Sequence, residues 1–598
     1  MSILTFDVET HSADLLYDLS PKEFVRLIGY AWGKGDVVLT TDLEELKEQL
    51  LKADLIIGHN IHNFDLKAVF GPKSDTPLHL SMGKHVFDTW MHAALVNPAP
   101  YVFTNRHGVR TLADSPRNMK RWFSLDEQAH QLGVQGKTAD LKALAKEFGD
   151  FGSIPVEDAR FRSYLVGDVE ATRRVAKELL KIGPLNAYAM REQEIAARAA
   201  IISSNGMRVH RTRATARVEE LRGRKEEVLK DLQSRYGLPD KGKSPWATTA
   251  GKAAIMAALA DQGITPETRA DWTKTATGNL SLGGETLISL TKGTPAAAMG
   301  RALAELKGQR SLAQLALEST HADGFVHPDI TMLQRSGRWS TTEPGLTIWT
   351  SRGEGAVEKS YFLPDTDDEV LLEVDYSQAD ARIVAAFSGD TSYAERFEPG
   401  ADGHMLNAIA AWGKERVCAN PKHYRQAAKA PGHGWNYSLG IEKAGALLGA
   451  KTYTERMKIG GLFISGMNKA FPGVIAWKRR SIAEAEEKGH ILSEWGRKLW
   501  VEQGREFTQG PALIGQNGTR EIVCDALLRM PIPTLRRVKA QIHDALLFSV
   551  PKENWEEWRD LITQLMETTF KPSRGGQTVD FPVTSGPPGT NWQEAGHD

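Results

Sequence analysis

Residues 371–383, LLEVDYSQADARI, end an apolar run on Asp375 and follow it at once with a dense polar cluster. That is the pattern of a buried strand carrying a carboxylate to its end. A second apolar run, AQIHDALLFSV (540–550), has His543 and Asp544 at its middle. Two carboxylates brought together from strands of distant segments make a site for a pair of divalent cations, which can hold a phosphoryl group between attacking and leaving oxygens. One such aspartate alone is as often a turn residue at a strand end. The pair points to nucleotidyl transfer.

Between them, RQAAKAPGHGWNYSLG (425–440) spaces Arg425, Lys429, His433 and Tyr437 every four residues, so all four share one helical face. Guanidinium and ammonium groups suit phosphate oxygens, and imidazole and phenol can pack against sugar and base. A helix supplies the rigid spacing that in-line transfer needs. The alternative for such a face is a solvated basic stripe. Pro431 and the nearby glycines predict a local irregularity in the helix.

The amino-terminal third carries a separate chemistry. In ILTFDVET (3–10), Asp7 and Glu9 point to the same side of a strand, because strand side chains alternate. DLIIGHNIHNFDL (54–66) puts Asn60 and Asp65 at the end of another apolar strand. In YLVGD (164–168), Tyr164 and Asp168 stand one helical turn apart, so a phenol and a carboxylate can approach one metal-bound water together. Four carboxylates with a tyrosine are what two-metal phosphodiester hydrolysis requires, although each piece alone is common surface decoration.

Composition sets limits. A chain of 598 residues, 41% hydrophobic and with a mean hydropathy of -0.36, can bury several cores. No apolar run reaches about 18 residues and MSILTFDVET has no basic leader, so the expectation is a cytoplasmic protein without a membrane partner. Cys418 and Cys524 are far apart and lack metal-ligand spacing, which supports neither a disulfide framework nor a zinc site. The net charge of -1 does not exclude a nucleic-acid partner, because acidic metal sites offset basic grooves in the sum. Local charge appears in RVHRTRATARVEELRGRKEEVLKDLQSRYG (208–237), which reads as a long helix. Its cations either track phosphates without reading sequence or pair with the interspersed glutamates on an exposed face.

The three segments around Asp375, Arg425 and Asp544 resemble motifs A, B and C of the family A DNA polymerases, in order and spacing. Motif A, D-Y-S-Q-I-E-L-R in the family, is DYSQADAR (375–382) here. Motif B, R-x3-K-x3-F/Y-G-x2-Y-G, falls on Arg425, Lys429, His433 and Tyr437. Motif C, H-D-E, is His543-Asp544-Ala545. The departures are Asp380 for Glu, His433 for an aromatic, Ser438 for Gly and Ala545 for Glu.

The resemblance implies two Mg2+ ions per active site, with Mn2+ as a substitute, held by Asp375 and Asp544 with Tyr376 beside them. It implies Lys429 as a proton donor, and dNTP contacts from Gln378, Asp380, His404, Arg425, Lys429, His433 and Tyr437. His404 enters through FEPGADGHML (397–406), which matches F-x-x-G-x-D-x-H. Primer-template contacts fall to Arg338, in RSGRWSTTEPGL (335–346), and to His543. GQNGTREIVCDAL (515–527) fits in two registers, leaving Gln516, Asn517 and Arg520 as primer or template contacts without a fixed assignment.

The amino-terminal set resembles the DEDDy 3′→5′ exonucleases. That implies metals at Asp7, Glu9, Asp65 and Asp168, a water oriented by Tyr164, and a strand contact at Asn60. The expected fold is a multidomain α/β chain, with a ribonuclease H-like exonuclease domain over residues 1–183 followed by a right-hand polymerase over 184–598. Within the latter, the thumb covers about 184–299, the palm about 300–388 and 490–598, and the fingers about 389–489. Lys274 and neighbouring hydroxyls in WTKTATGNLS (272–281) would close the thumb on the duplex. The carboxyl-terminal TSGPPGTNWQEA resembles a packed segment of the family.

The expected protein is a monomeric phage replicative polymerase with proofreading, working beside replisome proteins such as a helicase and a single-strand binding protein. Two competitors are an exonuclease with a degenerate polymerase half and a non-catalytic DNA-binding module. The retained Asp375, Asp544 and Lys429 argue against the first, and the two complete carboxylate sets argue against the second.

Overall fold

Strand β1 (Ile3–Thr10) is the spine of the first unit. It pairs antiparallel with β2 (Val25–Trp32), which pairs with β3 (Val38–Thr40). On its other edge it pairs parallel with β4 (Leu55–Gly58), which pairs with β5 (Val86–Asp88). The sheet order is thus β3-β2-β1-β4-β5. This computed structural model describes residues 1–596 apart from 114, 138–140, 241, 243, 270, 276–277, 308–310 and 350–352; Thr277 of the WTKTATGNLS loop lies outside the described residues.

Three helices of this unit matter to the site: α1 (Asp65–Phe70), α2 (Thr89–Val96) and α3 (Ala159–Ile182). Leu4, Phe6 and Val8 of β1 enter a core on one face of the sheet. Alternation turns Asp7 and Glu9 to the other face, where α3 crosses β1 and β2. Gly29 of β2 stands opposite Asp7, and a Cβ there would lie 2.9 Å from Leu165 Cγ, so the missing side chain lets α3 ride close on the sheet. Asp158 caps α3 by accepting from the amides of Arg160 and Phe161.

Helix α4 (Ala187–Asn205) is buried on nearly every side because it is the seam between the two units. The Gln193 amide bonds both main-chain groups of Asp88, at 2.9 and 3.2 Å, and Arg198 donates to the carbonyls of Leu527 and Met530. One hydrophobic core runs from Leu78 and Met91 through Ile195 to Ile383 and Leu546. Helix α5 (Arg211–Tyr236) then runs largely exposed, burying Ala214, Leu221 and Leu232. Glu220 pairs with Arg217 and Arg224, and Asp231 with Arg235, so its acids spend part of the positive charge on the helix itself.

The second sheet is built on β6 (Glu369–Tyr376). After it come α6 (Ala379–Ser388), α7 (Gly403–Trp412), α8 (Pro421–Asn436), α9 (Pro472–Lys488) and α10 (Glu506–Arg529). Strands β7 (Val538–Ile542), β8 (Ala545–Pro551) and β9 (Val583–Ser585) complete the sheet, in the order β7-β8-β6-β9. Leu371, Leu372 and Val374 of β6 are fully buried, each contributing roughly 1.5–3 kcal/mol on folding. All regular elements from Thr391 to Lys488 are helices. The carboxyl-terminal segment is packed: Trp592 is buried and its indole donates to Glu373 at 2.7 Å. No helix among the described residues is long and apolar enough to cross a membrane.

Three local expectations are corrected. His543 and Asp544 do not sit within a strand; they form the connection of the β7–β8 hairpin, with His543 in the left-handed region at φ 58°. Asp65 is the first residue of α1, reached by an irregular stretch after β4, because its carboxylate accepts the Val8 amide rather than ending a strand. Tyr437 is the cap of α8 instead of its fourth face residue. The helix passes through Pro431 unbroken and stops where Ser438 turns to φ 60°.

Candidate active sites

The register of β6 and β8 pairs Asp375 with Ala545, which sets Asp544 beside Asp375 at the hairpin tip. Burial, and then the charges of Asp375 and Asp380, push the Asp544 carboxyl up to about 7. Like charges gathered at that cost are what divalent cations relieve, so these residues suit a metal pair. Tyr376 contributes no side-chain ligand: its buried phenol donates to the Met566 carbonyl, which leaves only its own main-chain carbonyl for a metal.

A cleft of about 430 Å³ opens beside Asp544, and Arg338, Gln378, Asp380, His404, His433 and His543 also line it. Arg425 and Lys429 lie on α8 near His404, whose basicity is lowered by burial and then by these two cations, against the opposing pull of Asp402. Arg425 rests on Asp402, which also caps α7 through the amides of His404 and Met405. Tyr437 lies beside Asp380; burial and that carboxylate suppress ionisation of its phenol.

Asp380 itself accepts from Thr519 Oγ1 at 2.6 Å and meets the Arg338 guanidinium at 3.4 Å on the same oxygen. No hydrogen bond from His433 reaches it among the described residues. The imidazole instead stands edge-on to the Tyr437 ring, centroids 5.7 Å apart.

Two predicted duplex contacts are corrected. Arg520 is buried against Glu192 and Glu521, at 2.6 and 3.0 Å. Asn517 is buried too, its amide donating to Ser336 and Glu521. Both are buried and bind α10 into the protein, whereas Gln516 is half-buried.

In the first unit, one oxygen from each of Asp7, Glu9 and Asp168 falls within 4.8 Å of the others. Asp65 joins them from α1. Burial raises all four carboxyls, Glu9 to about 8, Asp65 to about 7 and Asp168 to about 6, with neighbouring carboxylates adding to the rise. Among the described residues Asp168 Oδ1 is buried without a hydrogen-bond partner, an orphan acceptor in a cluster of carboxylates. These donors fit a cation pair. Asp7 and Asp168 open on a cleft of about 890 Å³ that Tyr164 and Asn60 also line.

Two residues here escaped sequence reasoning. Lys137 donates to the Tyr164 hydroxyl at 2.6 Å and to Asp168. Burial opposes its charge, but Asp168, Tyr164 and Asp7 hold its ammonium well above the usual lysine range. Asp88, at the end of β5, accepts the amides of Asn60, His62 and Trp90 and so fixes the stretch that carries Asn60 and leads to Asp65. A carboxylate closing the apolar HVFD run was the one available signal for Asp88, and Lys137 had none.

The family model for DNA polymerase family A matches residues 254–594. Among curated relatives, the DNA polymerase of Mycobacterium phage D29 is 30% identical over 42% of this chain and 40% of its own length. The DNA polymerase of Mycobacterium phage L5 is 28% identical over 50% and 48%. DNA polymerase I of Streptococcus pneumoniae is 27% identical over 42% and 30%. The matched stretches therefore span less than half the length of these relatives. Among solved structures, the POL domain of Pol1 from M. smegmatis, in complex with DNA primer-template and dNTP, superposes over 99% of this chain and 96% of its own, with a TM-score of 0.70 at 19% identity.

Proposed function

The chain belongs to DNA polymerase family A, and from that premise we propose that it extends a primer 3′ end on a DNA template with dNTPs while its first unit proofreads in the 3′→5′ direction. The observation that carries the reading is the hairpin tip that sets Asp544 beside Asp375 under a cleft lined by Arg338, Asp380, His404 and His433. Asp375 and Asp544, with the Tyr376 carbonyl, would hold two Mg2+ ions or Mn2+ in their place, and a bound pair would supply Lewis-acid activation of a hydroxyl and charge neutralisation for pyrophosphate.

Arg425 exchanges Asp402 for the triphosphate, His404 adds a second donor, and Lys429 gives the leaving pyrophosphate its proton. His433 and Tyr437 pack against sugar and base, Gln378 and Asp380 bound the sugar side, and Arg338 and His543 meet the primer end. At the other site, Asp7, Glu9, Asp65 and Asp168 would hold the metals that supply an activated water for hydrolysis. Tyr164, fixed by Lys137, orients the attacking water, and Asn60 touches the frayed strand.

The likeness to two phage DNA polymerases supports a role in phage DNA synthesis; a monomer working in the host cytoplasm beside a helicase and a single-strand binding protein is the remainder of the proposal. Primer extension and degradation, each with and without dNTPs and Mg2+, test the whole proposal. A protein that does neither, or degrades but never extends, refutes it.

A further inference from the structure

The family's motif A has a glutamate, one methylene longer, where this chain has Asp380, and the packing around Asp380 shows what holds the shorter side chain. Helix α10 packs closely on its neighbours at this point, and one of its residues reaches Asp380. At Gly515 a Cβ would lie 2.3 Å from the Tyr437 ring, and at Gly518 a Cβ would lie 2.8 Å from Ile383, so the absent side chains let α10 close on both Tyr437 and α6. The next residue, Thr519, is 4% exposed, and its hydroxyl donates to Asp380 Oδ1 at 2.6 Å. A threonine inside a helix ordinarily bonds back to a carbonyl of its own preceding turn. Here the hydroxyl is spent across the helix pair on a carboxylate at the edge of the nucleotide cleft.

We propose that Thr519 is a positioning residue for sugar selection. Its hydroxyl, with the Arg338 guanidinium on the same oxygen, holds the short Asp380 side chain where it closes the space beside the nucleotide's 2′ carbon and keeps Oδ1 from accepting a hydrogen bond from a ribose 2′ hydroxyl. The inference rests on the reading of this cleft as a dNTP site. Without the Thr519 hydroxyl, Asp380 can rotate away or turn a freed lone pair toward the 2′ hydroxyl, and either change favours ribonucleotides. A methylene-scale change in fit shifts selectivity by about tenfold or more.

The test compares Thr519→Ser with Thr519→Ala, two variants that both lack the methyl group and differ only in the hydroxyl, in the full chain carrying Asp7→Ala to silence degradation. Single-nucleotide incorporation gives kcat and KM separately for a dNTP and the matching rNTP. Thr519→Ala is expected to lower the dNTP/rNTP ratio of kcat/KM about tenfold, through a lower KM for the rNTP, while Thr519→Ser keeps the parental ratio. In an Asp380→Ala background the same Thr519→Ala change should add nothing, since the threonine acts through that carboxylate. Equal ratios for the serine and alanine variants overturn the proposal, as does an undiminished effect in the Asp380→Ala background. A parent protein that fails to incorporate a dNTP at all overturns both this inference and the function beneath it, and that result is seen before any change at Thr519 is made.

Discussion

Gly29→Ala tests whether the first site depends on how closely α3 rides on the sheet. Gly29 lies in regular strand opposite Asp7, so the substitution brings no backbone strain and acts through volume alone. Its Cβ would lie 2.9 Å from Leu165 Cγ and 3.2 Å from Val169 Cγ2. Carbon atoms pack at about 3.5–4.0 Å, so α3 must retreat by ~0.6 Å or more. Leu165 and Val169 each sit one residue from a site residue, Tyr164 and Asp168, and the retreat carries both away from Asp7 and Glu9. A misplacement of about 1 Å costs on the order of a hundredfold in rate, so degradation should slow by roughly tenfold to a hundredfold. Overpacking should also cost about 1–3 kcal/mol of stability. The assay is release of 3′ nucleotides from a single-stranded oligonucleotide without dNTPs, beside primer extension by the same preparation. Extension should persist, because the Asp375–Asp544 sheet lies elsewhere. Degradation at the parental rate, or a parallel loss of extension, would refute the reasoning.

Four further outcomes are expected. Asp544→Ala should abolish extension and spare degradation, and Asp7→Ala should do the reverse; loss of both from either change in a folded protein would sink the two-site assignment. Lys429→Ala should reduce the extension rate more than duplex binding, whereas Arg425→Ala should raise KM for dNTP; a Lys429 effect confined to DNA binding would refute its role in proton transfer. Lys137→Met removes a charged donor from Tyr164 and Asp168 and should slow degradation about tenfold to a hundredfold, the worth of such a bond, with extension as the internal control. The metal-free protein should lose stability as pH rises from about 4.5 to about 8: Glu9 is raised from 4.5 to about 8 on folding, so the folded state keeps a proton the unfolded chain has released. Melting in EDTA at several pH values should show this slope, Glu9→Gln should flatten it, and Mg2+ should stabilise more at the alkaline end; an EDTA profile identical in wild type and Glu9→Gln would contradict it.

What was legible in the chain divides along a physical line. Residues that act from one element were readable, because strand and helix periodicity alone place Asp7 with Glu9, Tyr164 with Asp168, and Arg425 with Lys429. The hairpin tip at His543 and Asp544 was readable as the place where Asp544 meets Asp375, and misread in form. An apolar run on each side looks continuous, and a turn made by a left-handed His543 carries no glycine or asparagine to announce it. Arg520 and Asn517 show the opposite failure, since a polar residue on a helix reads the same whether it meets DNA or, as here, a buried Glu192 or Glu521.

The residues missed altogether, Lys137, Asp88 and Thr519, act only across the fold. Thr519 meets Asp380 from 139 positions away, and Lys137 meets Asp168 from 31. No local pattern marks them, yet each completes a residue the sequence did mark. Asp88 holds the stretch bearing Asn60, Lys137 holds Tyr164, and Thr519 holds a carboxylate that is one methylene short. The shortened Asp380 was visible in the sequence as a departure from the family's motif, with nothing local to say what meets it. The contact comes from α10, where Gly515 and Gly518 make the close approach that a short hydroxyl needs. A substitution at a packed site is therefore answered by whichever neighbour the backbone brings nearest, and nearness is a property of the glycines on the facing helix.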